Sequence, residues 1–569
     1  MVKFQPNKNS ARSALEEWQK SIKKNLFITD GDFLHSIRYY LPKKTKLLQE
    51  LTDFADKVVN ELEPLVIENN LFENLPRIDH YNGIGEQIEH VIHHPNYEKA
   101  GNIIYSSRLL ERMAKPGDLL EALTFMFVSS QAGEAGHNCP VACSAGIIRV
   151  LQKVNDFPLK KAYLKKLTAA SYTENFTGAQ FLTEIQGGSD VGLNDTQAFQ
   201  DENGAWRIEG EKWFCSNADA ELILLTARID KVNSGTKGLG LFLVPAQLET
   251  GDRNHFTMRR LKDKIGTRSM ASAEIDFHGA YAVPMTPPGE GFKMVMENVL
   301  HLSRLFNTFC VLGMARRAYH IAYAYAQNRA AFGYTIINYP LVKENLARIK
   351  SENTALLSSI FATTSLQDAF DKGKIKGEET KLLLRLLANL NKYLSALWSV
   401  EHIHHSLDVL AGNGAIESFS TIPRLLRDCI VCENWEGTHN VLRMQILKDI
   451  ARYNIDDLFL QNLQSSIAKI PSANLHLQKI NLGVDNLKKD LSLLKSMIPE
   501  LQSLQIKTVV DQMAILFSAV HLLTEALDQQ NTGTSSKMYS LEYFLLLHLE
   551  TRKTAYEPSY LKLITNVLA

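Results

Sequence analysis

Between about residue 172 and Pro284 the chain changes its period. Before that stretch, apolar residues recur every three or four positions, as in LLQELTDFADKVVNELEPL (47–65), which predicts helices from about residue 45 to 170. LLEALTFMFVSSQAGEAG (119–136) is apolar nearly all round and predicts a buried helix. Inside the stretch, FTGAQFLTE, AWRIEGEKWFCSN, ELILLTARI, GLGLFLVP and ASAEIDFHGAYAVP are short runs rich in branched and aromatic residues. Gly, Asn and Asp punctuate them, as in a compact β domain. Helical periodicity returns with GFKMVMENVLHLSRLFNTFCVLGMARRAYHIAYAYAQNRAAFG (291–333) and persists to about residue 452. A β domain must therefore be inserted between two helical blocks or packed beside them.

The expected fold class is mainly α with an inserted β domain. A helical N-terminal domain (1–170) is followed by a central β domain (171–284), a helical C-terminal bundle (285–454) and a C-terminal helical extension (455–569). In the extension, Leu487, Leu491, Leu494, Ile498 and Leu501 recur at 4-3-4-3 spacing, as in a packed amphipathic helix, and Pro499 limits any long coiled coil. The extension is expected to pack against the core or between subunits.

Lys plus Arg equals Asp plus Glu, 62 each, which argues against a protein whose main partner is nucleic acid. In the extension, NLKKDLSLLK carries lysines with acids interspersed, and these read as a solvated helix face rather than a DNA site. Six cysteines in 569 residues make no disulfide framework and point to a reduced compartment. Cys429 and Cys432 form one CxxC with no second pair at zinc-finger distance, so helix thiols are favoured over a redox or metal site. His402, His404 and His405 follow Glu401 in an order that is not HExxH, and no metal site is expected. The N-terminus lacks an apolar signal core, and no apolar run approaches a membrane span. The expected location is the cytoplasm, or the mitochondrial matrix in a eukaryote.

GxGxxG at a strand-to-helix turn, GxxxxGK[ST] and GxSxG are all missing. Four other stretches could carry chemistry. FLTEIQGGSDVG (181–192) leaves a strand with Thr183 and makes a glycine pair followed by Ser189. Such a turn suits either an anion-binding concavity or plain punctuation. EKWFCSNA (211–218) could wall a flat ring, or be an ordinary half-buried strand. RAAFG (329–333) ends a long helix with Arg329 and Phe332 on nearly one face, which suits an adenine or phosphate, or a solvated Arg beside a core Phe. NWEGTHN (434–440) holds a lone carboxylate, Glu436, which can act as a base only where something else accepts the electrons.

In order, spacing and domain context these stretches resemble the acyl-CoA dehydrogenase family over roughly residues 50–450. EAGHNCP (134–140), TEIQGGSDV, KDKIGTRSMASAEIDF (262–277), RAAFG and WEGTHNV look most like the AidB subgroup. The resemblance implies the family fold and an FAD cofactor. It also implies that Glu436 removes the α-proton of an acyl-CoA thioester while the β-hydrogen leaves as hydride to the flavin. The developing enolate would be held by the backbone N–H of Glu436 and a ribityl hydroxyl, and Gly437 would let the backbone turn. By the same resemblance, Leu182, Thr183, Gly188, Ser189, Phe214, Cys215, Ser216, Thr438 and Asn440 would meet FAD. Arg329, Phe332 and Gly412 would reach the FAD of a neighbouring subunit, implying a homodimer or homotetramer. Ser189 and Arg304 would contact the acyl-CoA.

Three positions depart from the family pattern: Ala411 stands for a common Gly, Asp408 for a frequent Gln, and His301 for a frequent acid. The implied partners are a fatty acyl-CoA and an acceptor such as an electron-transfer flavoprotein. The alternative is an AidB-like flavoprotein that binds fatty acyl-CoA, or DNA in a narrower variant, with little catalysis.

Overall fold

The structure, a computed structural model, describes residues 11–229, 235–550 and 557–569. All five expected runs of the β domain are strands: β3 (Gly178–Phe181), β5 (Trp206–Ser216), β6 (Leu222–Arg228), β7 (Leu239–Pro245) and β9 (Ser272–Pro284). Two further strands, β4 (Gln197–Gln200) and β8 (Phe256–Leu261), complete a seven-stranded sheet. Its order is β3-β6-β4-β5-β9-β7, β8 pairs with β9, and β7 pairs with β6 as well, so the sheet curls back on itself. Phe181, Ile208, Ile223, Leu225, Phe242, Val244, Ile275 and Phe277 fill the interior. Each such side chain contributes about 1.5–3 kcal/mol relative to exposure.

The stretch expected to be all helix contains a hairpin, β1 (Arg77–Tyr81) and β2 (Gln87–Ile92). The Asn82 side chain accepts from the backbone N–H groups of Ile84 and Glu86, at 3.1 and 2.9 Å, and closes the turn. The Asn82 side chain and Gly85, which takes φ +82, are the local cause.

The helical block runs α1 (His301–Asn328), α2 (Pro340–Asp371), α3 (Glu378–Val409), α4 (Ile422–Asn434) and α5 (His439–Tyr453). The extension adds α6 (Ile455–Ile467), α7 (Leu475–Ser496), α8 (Pro499–Asn531), α9 (Ser536–His548) and α10 (Pro558–Leu568). RAAFG does not end a helix as expected. α1 stops at Asn328, and Ala330–Ala331 and Tyr334–Thr335 form a small hairpin, β10 and β11. Phe332 and Gly333 occupy its two-residue turn at φ +49 and +92, so Arg329 and Phe332 share no helix face. The leucine run in the extension also breaks. Leu487, Leu491 and Leu494 are buried on α7, whereas Ile498 and Leu501 lie beyond its end at Ser496, as the N-cap and in the first turn of α8, and are exposed.

The chain separates into two compact units that do not follow the expected boundaries. One comprises Glu61–Ser130 and Glu134–Phe306, hence the hairpin, several helices and the β domain. The other comprises the residues up to Asn60, Gln131–Gly133 and everything from Asn307 onward, so the N-terminal helices belong with the helical block.

Within this second unit the extension packs on α2 through α8, α9 and α10. A buried carboxylate fastens it: Glu352 on α2 lies 2.6 Å from His402 Nε2 of α3 and 3.1 Å from His548 Nε2 of α9. Burial alone would raise the Glu352 carboxyl, but the hydrogen bonds and charges of His402 and His548 outweigh it and hold it far below the usual range. By length and composition α8 could cross a membrane, yet 67% of its apolar window is buried inside the protein.

His137, in the helix Ala135–Lys153, is fully buried. It stacks on Tyr97 at 4.0 Å, and its Nε2 lies 2.7 Å from the Tyr97 carbonyl oxygen. Burial lowers its pKa to about 3. Below pH 6.5 the unfolded chain therefore takes up a proton that the folded chain refuses. Stability conferred at neutral pH is lost as pH falls toward 3, by up to about 1.4 kcal/mol per pH unit. His137→Gln should flatten the fall in unfolding free energy between pH 6.5 and 4.5, read from urea unfolding at each pH. An unchanged slope would contradict this.

Candidate active site

In the β-domain unit the chain leaves β3 at Phe181 and turns through Leu182 to Ser189. Gly187 takes φ +116, which glycine allows without strain. At Gly188 a Cβ would fall 2.5 Å from the Thr183 hydroxyl oxygen, so the backbone passes close over Thr183 only because the residue is glycine. Gly188 and Ser189 are exposed, and Leu182 and Thr183 are half-buried.

Two bonds seat this turn. The Trp213 N–H donates to the Thr183 carbonyl at 3.0 Å, and the Asn194 amide donates to the Leu182 carbonyl at 2.7 Å. The first joins the two stretches that sequence reasoning had singled out separately.

Beneath lies an ion pair that sequence reasoning missed. Glu184 accepts from Lys212 Nζ at 2.7 Å and from the Asp195 N–H at 2.6 Å, with both side chains buried. Burial pushes the Glu184 carboxyl up, but the Lys212 charge and the hydrogen bonds outweigh it and hold the group below the usual range. Lys212 falls one residue before the aromatic pair, in a strand whose pairing with β9 bulges between Lys212 and Cys215.

Phe214 is 51% exposed, an unusual position for a large aromatic ring. Ser216 is half-buried, with its hydroxyl 3.3 Å from that of Ser272. Cys215, between them, faces the β-domain core, and burial pushes its thiol far up. Only its backbone can meet a ligand. Lys262 places its Nζ 3.5 Å from the Trp213 ring centroid and 5.0 Å from that of Phe214. Arg304 is buried.

In the helical unit, NWEGTHN is the break between α4 and α5. Glu436 adopts φ +60 and Gly437 φ +104. A left-handed conformation costs a residue with a Cβ about 1–2 kcal/mol, so the surroundings must hold it. Lys392 of α3, which is fully buried, donates from Nζ to the Glu433 carbonyl at 2.9 Å and to the Gly437 carbonyl at 2.7 Å. The Trp435 indole N–H donates to the Asn307 side chain on α1. Glu436 is half-buried and its Oε2 is buried.

Thr438 caps α5 in an extended conformation without a side-chain bond to the first turn. The leading amides of α5 thus present a partial positive charge. Asn440 accepts from Arg443 Nη1 at 2.9 Å, and Arg443 also donates to the hydroxyl of buried Tyr393. Tyr393 in turn donates to Asp511 of α8 at 2.5 Å, which links the extension to α5.

Arg329 is exposed, and Phe332 at the tip of the β10–β11 hairpin is 96% exposed. Ala411 takes φ +51, the conformation that the glycine it replaces would adopt at lower cost. Gly412 beside it has open space where a Cβ would stand. Cys429 and Cys432 are buried on α4, and burial pushes both thiols up. Among the described residues no group of three or more His, Cys, Asp or Glu side chains could hold a metal ion.

Comparison with known proteins accounts for both halves. Residues 179–280 match the acyl-CoA dehydrogenase middle domain, and residues 289–451 match the acyl-CoA dehydrogenase C-terminal domain. The chain belongs to the acyl-CoA dehydrogenase family. It is 28% identical over 520 residues to acyl-CoA dehydrogenase family member 11 of Caenorhabditis elegans, covering 88% of this chain and 83% of that one. It is 29% identical over 392 residues to AidB of Escherichia coli, covering 66% and 69%. Its fold matches the crystal structure of Caenorhabditis elegans ACDH-11 in complex with C11-CoA. The TM-score there is 0.83 at 24% identity, covering 94% of this chain and 93% of that one. The family uses FAD.

The Glu184–Lys212 pair generates a stability prediction. Lys212→Met should cost about 3–5 kcal/mol, because it leaves a buried carboxylate uncompensated. Adding Glu184→Gln should recover most of that loss in urea unfolding. A single variant as stable as the parent would show that the pair does not hold the turn.

Proposed function

We propose that the chain is an FAD-dependent acyl-CoA dehydrogenase with Glu436 as its base. The observation that carries this reading is the backbone at Glu436. A non-glycine residue is held in the left-handed region immediately before the N-terminus of α5, between two carbonyls that accept from one buried lysine. Strain of this kind persists where the surroundings over-determine it, as at functional sites.

The residues of the β domain suit a flavin. The cradle at Gly188 has no room for a Cβ, Phe214 exposes half a ring, and the Ser216 hydroxyl stands two residues on. Leu182 and Cys215 would contact FAD through the backbone, Thr183 and Ser216 through hydroxyls, and Ser189 at the pyrophosphate and the acyl-CoA. Thr438 and Asn440, at the head of α5, suit its phosphates. The exposed Arg329, Phe332 and Gly412 suit the FAD of a second copy in a dimer or tetramer. Buried Arg304 would serve the acyl-CoA.

Bound FAD would supply the hydride acceptor and an electron-poor ring. The chain's own work is the proton. The Glu436 carboxylate removes the α-proton of the thioester, and the Glu436 N–H, presented by the turn at Gly437, donates to the thioester carbonyl as negative charge develops there. An electron-transfer flavoprotein in the cytoplasm or mitochondrial matrix would collect the electrons.

A second reading is an acyl-CoA-binding flavoprotein with little turnover. ACDH-11, which shares the fold, was solved with C11-CoA bound. The DNA variant of that reading has less support. Of the four lysines of α7, Lys479, Lys488 and Lys495 pair with Glu550, Asp485 and Asp456 at 2.6, 3.1 and 2.6 Å, which offsets most of the charge that helix could offer a phosphate backbone.

An anaerobic titration with acyl-CoAs of graded length separates the readings. The dehydrogenase reading expects the flavin band to bleach at one chain length, and Glu436→Gln to slow that bleaching at least 10³-fold (about 4 kcal/mol of barrier). A band that shifts but never bleaches would favour the binding protein.

A further inference from the structure

Lys392 is a fully buried cation in the middle of α3, with no local sequence pattern around it. It does not reach toward a ligand. Its Nζ donates to the carbonyl oxygens of Glu433, in the last turn of α4, and Gly437, just past the break, at 2.9 and 2.7 Å. Those carbonyls stand three residues before and one residue after Glu436. The end of a helix leaves carbonyls without intrahelical donors, and a lysine can serve two at once. The two bonds fix both sides of Glu436, a non-glycine residue held in the left-handed region.

We infer that Lys392 is a positioning residue for Glu436. It clamps the turn so that the carboxylate and the N–H of Glu436 keep one orientation as the proton is taken. The inference rests on the dehydrogenase reading for its kinetic consequence, but the clamp itself does not. Nothing in this role brings Lys392 into contact with substrate or flavin. Its neighbour Tyr393 works on the far side of the same break, through Arg443, and holds α5 rather than the turn.

Two variants of the full FAD-loaded chain test the clamp, Lys392→Met and Lys392→Arg. Backbone hydrogen–deuterium exchange should rise at least about tenfold in residues 433–440 of Lys392→Met, with β5 and β9 unchanged. A displacement of the base by about 1 Å costs roughly 10²-fold in rate. Flavin reduction by acyl-CoA should fall by that factor, while the affinity for acyl-CoA changes less than about threefold. The isotope effect on α-deuterated substrate should rise as proton removal becomes slower. Lys392→Arg, which keeps the donors, should recover at least about tenfold of the lost rate.

Unchanged exchange at 433–440 would overturn the clamp. So would a rate loss matched by loss of FAD and of stability throughout the chain, since that is what a merely structural lysine predicts. If the parent protein is reduced by no acyl-CoA, the dehydrogenase reading fails and exchange alone decides: a rise confined to 433–440 supports the clamp, and its absence refutes it.

Discussion

The pair of bonds from Lys392 to the carbonyls at Glu433 and Gly437 is the interaction on which the proposed role of Glu436 depends. A carboxylate used as a base must be aimed, and a helix would carry Glu436 on a fixed face. Breaking the helix frees the residue but gives it many orientations to choose from. The structure removes that choice with a buried lysine on one side, an indole anchored to α1 before it, and the start of α5 after it. The strain of φ +60, about 1–2 kcal/mol, is small beside the bonds that oppose its relaxation.

The β domain poses the matching problem of holding a turn whose backbone is open to a proposed ligand. A turn that exposes glycines and hydroxyls cannot hold itself in place, because it buries almost nothing of its own. Glu184 and Lys212 lie underneath, and removing one partner of that buried pair costs about 3–5 kcal/mol. Asn194 and the Trp213 amide then fix its two carbonyls. In both units a buried charge stands behind a partly exposed segment that carries candidate site residues. That division lets the exposed residues be chosen for chemistry rather than for packing.

Much of this was legible in the sequence, for physical reasons. The change from a period near 3.6 to a period of 2 is dictated by which face is buried, so the five principal strands could be read directly. The candidate turn, aromatic pair and lone glutamate were also legible, as short patterns of unusual residues. The β1–β2 hairpin was written in Asn82 and Gly85 but sat between long helical repeats that drowned it. The β10–β11 hairpin was concealed because Phe332 occupies a left-handed turn position where Asn or Asp is the usual signal. Ile498 and Leu501 continued a helical count that had already ended at Ser496, ahead of the new helix that opens at Pro499. Lys392 could not be found from sequence at all. A single lysine among leucines looks like a solvated one until the fold closes over it, and its two acceptors are backbone atoms more than forty residues away. Cys215 shows the converse, a residue placed in the right stretch whose side chain turns to the core.

The most direct test of Glu436 as the base does not depend on any electron acceptor. The FAD-loaded protein and its Glu436→Gln variant are incubated anaerobically in D₂O with an acyl-CoA, and deuterium at C2 of the recovered acyl chain is measured by mass spectrometry. The account predicts wash-in by the parent and none above background in the variant. Equal wash-in by both proteins would mean that another group takes the proton, and the central claim would be wrong.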